Sequence, residues 1–203
     1  MNVDGQTAGR RDVWENPLAS RYASAEMTRL WSDRNRYRTW RQVWLALAEA
    51  EAELGLPITQ AQLAQLRANL VPVDFARAAA YEKQMRHDVF AHLHTYGDAA
   101  PAARPILHLG ATSAFVTDNT DLILIRESLD LIAARLAGVV EALAAKAAQT
   151  RDVVCLGLTH LQPAQPTTIG KRICLWIHDL LVDLEEVLHR RQLLRARGSK
   201  GTT

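Results

Sequence analysis

Cysteine is nearly missing from this chain of 203 residues: Cys155 and Cys174 are all there is, both in apolar surroundings and neither at metal-ligand spacing. That excludes a disulfide framework and fits a reducing compartment, so the cytoplasm is the expected location. A dominant charge is lacking too. Lys and Arg number 24 against 22 Asp and Glu, a net charge of +2, so no global field draws the chain onto nucleic acid or an anionic membrane. Any anionic ligand must therefore be held by a local cluster. Residues 1–11 are polar, carry Asp4, Arg10 and Arg11, and contain no apolar stretch, which speaks against a signal peptide or membrane anchor. Residues 1–16 read as a disordered lead-in. Finally, strand signals are almost absent, because no alternation of β-branched and polar residues is sustained anywhere.

What is present is helical spacing, recurring from Asp33 to Arg197 in a chain with 48% hydrophobic and 23% charged residues, so the expected class is all-α. A first helix runs from Asp33 to about Leu54 with Trp40, Val43, Trp44, Leu47 and Leu54 on one face, and it stops at Gly55 and Pro57. Thr59 and Gln62 have capping-box spacing ahead of Leu63 and Leu66. Asp74 starts a third helix toward Arg86-His87-Asp88, where Asp88 is placed to cap a fourth that contains Val89, Leu93 and Tyr96. Gly97, Pro101 and Pro105 then break the pattern. This gives a small helical domain over 17–111 and a second body over 112–203.

In the second body Leu122, Ile125, Leu129, Ile132, Leu136, Val139 and Leu143 alternate at spacings of three and four, a heptad seam on one long bundle helix. After a loop from Thr150 to Pro166, a second stripe follows through Ile169, Ile173, Trp176, Leu180, Leu184 and Val187. Two helices of ~30 residues, each ~45 Å long, cannot cover their own apolar stripes, so partners are required. The chain closes on Gly198-Ser199-Lys200-Gly201-Thr202-Thr203, a glycine-rich loop that reads as a truncation within a larger bundle.

The segment Leu158 to Thr168 carries the most chemistry. It sets His160 between Thr159 and Gln162 and holds the turn with Pro163 and Pro166. A fixed imidazole titrating near neutrality suits a general acid acting on a leaving nitrogen. Thr159, Gln162 and Gln165 offer hydrogen bonds to carboxylate or phosphate oxygens. Taken alone, such a histidine more often satisfies a loop carbonyl or a helix end.

Its context changes that balance. Thr159-His160-Leu161-Gln162-Pro163-Ala164-Gln165 resembles a signature of the fumarase/aspartase superfamily. So does His108-Leu109-Gly110-Ala111-Thr112-Ser113 with Asp118-Asn119-Thr120. Three further blocks, Ser20-Arg21-Tyr22-Ala23-Ser24, Arg38-Thr39-Trp40-Arg41-Gln42 and Arg86-His87-Asp88-Val89, are similar to the branch that acts on a purine nucleotide. The resemblance covers about Pro17 to Thr203 and implies a helical N-terminal domain followed by the first long helices of a helical bundle. The implied reaction releases fumarate from a succinyl-substituted purine nucleotide or its imidazole-carboxamide counterpart, by general acid and base, with no cofactor. His160 and His87 are the implied catalytic residues. Thr112 and Ser113, at the start of a long helix, would bind substrate with Thr159, where a helix N-terminus suits an anion and capping leaves other amides available. Arg21 and Tyr22 would hold the nucleotide end, the guanidinium gripping phosphate in a two-point fork. Arg86 would anchor substrate beside His87, with Asp88 orienting them or simply capping the helix.

The resemblance also implies what is not here. The family's mobile serine loop, which carries its base, has no match before Thr203, so catalysis by this chain alone is not expected. Family members form homotetramers whose sites draw on three chains. His92, His94, His108, His178 and His189 are read as structural, and no metal site is expected, since residues two apart on a helix face different ways. Trp40, Trp44 and Trp176 read as core rather than a stacking platform. The arginine runs at 34–41 and 190–197 read as solvated or paired, so nucleic acid is not an expected partner. Two rivals share these residues: another fumarate-releasing lyase, such as argininosuccinate lyase or fumarase, and a non-catalytic helical module that docks through its heptad stripes.

Overall fold

A computed structural model describes residues 16–199, so the expectations for residues 1–15 and for Lys200 to Thr203 lie outside the described residues. Contacts divide the chain into two compact units, one ending at Leu107 and the other beginning at His108. Helices dominate both.

The first unit opens on a short π-type turn, Leu18–Tyr22, and continues through α1 (Ala25–Leu30), α2 (Asp33–Glu53), α3 (Gln60–Ala68), α4 (Phe75–Met85), α5 (Asp88–Ala99) and a 3-10 turn over Pro101–Ile106. Local chemistry sets most of these ends. Ser32 caps α2 by accepting from the Asn35 amide, and α2 ends before Gly55, which sits at φ +92° where a Cβ would be strained. Thr59 and Gln62 form a reciprocal capping box on α3, with amide-to-side-chain distances of 3.3 and 2.9 Å. Asp74 accepts from the Arg77 amide at 2.9 Å and starts α4.

Trp40, Val43, Trp44 and Ala48 on α2 meet Leu63 and Leu66 on α3 and Val89, Ala91 and Tyr96 on α5, all of them buried. Trp44 is only 1% exposed. Inside this core lies a cation. Arg41 donates to Asn69 O at 2.7 Å and Pro72 O at 3.0 Å, its guanidinium stands 4.8 Å from the Tyr96 ring centroid, and the Tyr96 hydroxyl donates to Leu66 O at 2.8 Å. Arg41 thus satisfies carbonyls beyond the end of α3 that have no helical partner. The expectation that the arginines of 34–41 are solvated or paired with acidic side chains fails at Arg41, which is buried and bonds backbone carbonyls instead. His92 is also buried, stacked on Tyr37 with centroids 3.6 Å apart.

The second unit consists of α6 (Ser113–Gln149), a hairpin of β1 (Val154–Thr159) and β2 (Gln162–Thr168), and α7 (Ile169–Leu193). At 1.5 Å per residue α6 is ~55 Å long. The two helices run antiparallel: Gly170 at the start of α7 lies against the end of α6, where a Cβ would fall 2.5 Å from Ala147 O, and Arg191 near its end pairs with Asp130. Val116, Thr120, Leu124, Ser128 and Ala147 on α6 and Ile173 on α7 form the buried seam.

Two expectations need correction here. The heptad positions Ile125, Ile132 and Val139 face outward, and Trp176, expected in the core, is 58% exposed. A pair of helices buries one stripe on each, and the remaining apolar positions lie on faces that neither helix covers. The stretch expected as a loop from Thr150 to Pro166 is largely the hairpin. Val153 to Leu158 is an apolar and partly β-branched run, but Gly157, Pro163 and Pro166 hide its alternation. The register shifts between Leu156 and Leu158, and at Gly157 an added Cβ would sit 2.9 Å from Gln165 O, so glycine is required at this bulge. Both prolines are tolerated because each strand of a two-stranded sheet has an unpaired edge.

Candidate active site

The candidate residues occupy four stations, two in each unit. Arg21 and Tyr22 end the opening turn, which is closed by the Ala23 amide donating to Leu18 O at 2.8 Å. Both are exposed, Tyr22 by 74%, so the guanidinium and phenol are presented outward.

Arg86, His87 and Asp88 make the corner between α4 and α5. Arg86 is left-handed, at φ 53° and ψ 38°, and donates its amide to Glu82 O at 2.7 Å. A residue with a Cβ there costs on the order of 1–2 kcal/mol. His87 then turns extended and is itself the N-cap of α5, its Nδ1 accepting from the Phe90 amide at 3.4 Å. The cap expected at Asp88 therefore sits one residue earlier, and Asp88 is the first helical residue, where a carboxylate complements the helix dipole. Nδ1 is also 3.5 Å from Asp88 Oδ1. The two contacts compete, since accepting from Phe90 needs a bare nitrogen and pairing with Asp88 needs a protonated one.

At the far end of these two helices Asp98 accepts from Arg77 Nε at 3.0 Å, from the Tyr81 hydroxyl at 2.8 Å and from Arg104 Nη1 at 3.3 Å, while Arg104 Nη2 contacts His94 Nδ1 at 2.8 Å. Desolvation pushes the carboxyl up, but the bonds from Tyr81 and Arg77 and the charges of Arg77 and Arg104 together hold it below its ordinary range. They also fix α4 against α5, and so the angle of the corner.

In the second unit Thr112 is the N-cap of α6, at φ −104° and ψ 164°, yet its side chain makes no capping bond. Its Oγ1 is buried without a hydrogen-bond partner, and the Phe115 amide reaches back to Thr112 O at 2.9 Å. The Thr112 side chain therefore does not cap α6, whose first turn is the positive end of the longest helix dipole of this unit, and Ser113 is the first helical residue there.

Thr159 pairs with Gln162, so His160 and Leu161 are a two-residue hairpin turn. Both are left-handed, at φ 49° and 60°, as a type I′ turn demands. Asn-Gly is the usual sequence for this geometry, and a His-Leu pair costs on the order of 1–2 kcal/mol per residue. In return the imidazole is held on a short, fixed turn at the tip of the sheet. Both turn residues are exposed, Leu161 by 96%. An imidazole presented at an exposed tip can deliver a proton to a group that comes to it.

One chain does not bring Thr112 and Ser113 to Thr159 and His160. The hairpin springs from the opposite end of α6, ~55 Å from Ser113, and seven residues of strand reach back only ~24 Å. Thr159 and His160 share one tip, and Arg86, His87 and Asp88 share one corner.

Asp118-Asn119-Thr120 belong to the second resembling segment, and nothing in their local spacing marks a role for them. Asn119 brackets the backbone of Arg197, and Asp118 Oδ2 meets its guanidinium at 3.1 Å. A compositional signal was available: five polar residues in succession, Thr117 to Asp121, near the start of a helix, of which Asn119 and Thr120 are buried. Among the described residues no cluster of His, Cys, Asp or Glu suits a metal ion, and no helix is long and apolar enough to cross a membrane.

A family profile described as lyase matches residues 20–203. Adenylosuccinate lyase of Saccharomyces cerevisiae is 51% identical over 195 residues, covering 95% of this chain and 40% of the relative. The adenylosuccinate lyase of Schistosoma mansoni is 48% identical over 191 residues, covering 94% of this chain and again 40% of the relative. The chain thus spans about two fifths of the length of these curated relatives. Among solved structures, the 3-carboxy-cis,cis-muconate lactonizing enzyme of Pseudomonas putida aligns with a TM-score of 0.77 at 26% identity, over 88% of this chain and 42% of that one.

Proposed function

The chain belongs to the lyase family, and from that premise we propose that it is the N-terminal part of an adenylosuccinate lyase, a carbon-nitrogen lyase of purine biosynthesis. The reaction releases fumarate from adenylosuccinate to give AMP, and from SAICAR to give AICAR. The observation that carries this reading is the identity of about half the residues with adenylosuccinate lyases across nearly the whole chain, which far exceeds the 26% shared with a lactonizing enzyme of the same fold.

In the proposed mechanism a base takes the proton next to a succinyl carboxylate, and the electron pair collects on that group as an aci-carboxylate. The nitrogen then leaves with a proton from His160, and fumarate is released. Negative charge grows on one carboxylate, so fixed donors around it lower the barrier. Thr112 and Ser113 supply that end at the N-terminal turn of α6, and Thr159 adds a hydroxyl beside the acid. Arg21 and Tyr22 take the phosphate. Arg86 anchors a carboxylate, and His87, beside it at the corner, supports the charge. No metal or cofactor takes part. The base itself is expected from a serine loop that these residues do not include.

Because one chain holds Ser113 and His160 at opposite ends of α6, the site is assembled from several copies, as a homotetramer in the complete enzyme. The outward Ile125, Ile132, Val139, Leu175, Trp176 and Val182 support that reading, as apolar faces awaiting partner helices. Unpaired cysteines, Cys155 half-buried and Cys174 exposed, fit the cytoplasm.

A substrate panel on the full-length enzyme tests the assignment. Fumarate should be released from adenylosuccinate and SAICAR and not from argininosuccinate. Release from argininosuccinate with adenylosuccinate untouched would overturn it.

A further inference from the structure

We infer that Asn119 is a positioning residue: it straps residues 195–199 onto the first turns of α6 and so walls the end where Thr112 and Ser113 stand. The inference rests on the reading of those two as substrate-binding residues. Residues 194–199, which follow α7, have no regular structure, and no helix or strand of their own would keep them in place.

Three tethers do so. Asn119 Nδ2 donates to Arg197 O at 2.9 Å, and Asn119 Oδ1 accepts from the Arg197 amide at 2.8 Å. The same Nδ2 also donates to Phe115 O at 2.8 Å, which locks the side chain to its own helix. A primary amide can do this because it carries donor and acceptor side by side, reading a backbone as a neighbouring strand would. Asp118 Oδ2 holds the Arg197 guanidinium at 3.1 Å, and the Ser199 hydroxyl donates to Gly110 O at 3.1 Å.

The bonds span sequence separations of 78 to 89 residues and land on 110–119, the stretch that contains Thr112 and Ser113. Gly110, left-handed at φ +56°, turns its carbonyl to the strap two residues before Thr112, within ~7 Å of backbone. The strap therefore borders the start of α6, and Asn119, buried at 8% exposure, has no need to touch substrate itself. Holding this border fixed preserves the shape into which the substrate carboxylate fits, which is a demand on binding more than on proton transfer.

The test is made in the full-length enzyme. Asn119→Asp keeps the shape but removes the donor and sets a carboxylate against Arg197 O. Hydrogen exchange at 195–199 is expected to speed up at least tenfold, with KM for adenylosuccinate raised about tenfold and kcat within twofold. Ser199→Ala, at an exposed position that folding does not depend on, is expected to raise KM about threefold. Unchanged exchange, or a released strap with unchanged KM, overturns the inference, as does an unaltered KM in Ser199→Ala. Ser113→Ala is measured in parallel. If it too leaves KM untouched, the fault lies with the binding role of Thr112 and Ser113, and if it raises KM while the strap variants do not, only the strap is wrong.

Discussion

The two units bury their apolar surface in different ways. In the first, α2, α3 and α5 close around Trp44, Leu66 and Tyr96, and even a guanidinium is drawn inside and satisfied by Arg41's two carbonyl partners. In the second, two long helices bury one seam and leave Trp176, Val182 and a row of isoleucines outside. A closed core needs nothing further, whereas open faces of this kind are stable when other helices cover them. The candidate residues follow the same division. Those of the first unit lie at a turn and a corner braced from within, and those of the second lie at the two ends of a helix too long for one chain to fold them together.

The largest expected effect is on chemistry that depends on the open unit. His160→Ala in the full-length enzyme should lower kcat by about 10²–10⁴-fold, the usual range for a general acid, while circular dichroism stays unchanged because the side chain lies at an exposed hairpin tip. His178→Ala, exposed on α7, should stay within twofold of the parent. Co-assembly sharpens the comparison: mixing His160→Ala chains with Ser113→Ala chains should restore part of the activity, since some sites then draw both intact residues from different copies. Equal activity of His160→Ala and His178→Ala would remove the role assigned to His160.

Next comes stability, where the two units should answer differently to the same change. Trp44→Ala opens a cavity in the closed core and should cost about 3–5 kcal/mol in denaturant unfolding. Trp176→Ala should alter unfolding of the unassembled chain by no more than ~0.5 kcal/mol, yet weaken association measured by sedimentation. Similar losses from both would mean that the second unit is as closed as the first.

Burial also gives the first unit an acid sensitivity. Desolvation, reinforced by the nearby Arg41 charge, pushes His92 down to about 4, below its ordinary 6.5. Between those values the unfolded chain binds a proton that the folded one refuses, so stability rises with pH across the window and is lost as pH falls through it. The full difference amounts to about 3 kcal/mol by linkage. Unfolding titrations of His92→Gln should lack this portion of the loss between pH 6.5 and 4. A variant that keeps the whole loss would place the sensitivity elsewhere.

How legible all this was depended on range. The capping box at Thr59 and Gln62 and the Asp74 cap are settled within four residues, and the structure has them where the sequence puts them. The cap of α5 moved from Asp88 to His87 because an imidazole nitrogen is a rarer acceptor than a carboxylate, and one residue of difference decides whether the histidine is tied down. The hairpin was hidden because a bulge at Gly157 and two edge prolines erase the alternation that announces strands. His160 was visible as chemistry but not as geometry, since nothing local in His-Leu favours a left-handed turn. The heptad seam was legible as apolar spacing, but spacing does not say which neighbour covers it. Arg41 and Asn119 depend on carbonyls 28 and 78 residues away, beyond any local pattern.

The smallest effect probes whether surface charge contributes to the closed unit as its core does. Arg67 on α3 grips Glu49 on α2 through Nε at 3.0 Å and Nη2 at 2.6 Å, joining the same two helices that the core joins. Both side chains stay substantially in water, 51% and 34% exposed, so salt and solvent screen the attraction and ordering two long side chains offsets what remains. Arg67→Gln should therefore cost less than ~1 kcal/mol in unfolding experiments at low salt, and about nothing at high salt. A loss above ~2 kcal/mol that persists in high salt would show that α2 and α3 are held by this pair more than by Trp44 and Leu66, and the contrast between a closed unit and an open one would then rest on the wrong residues.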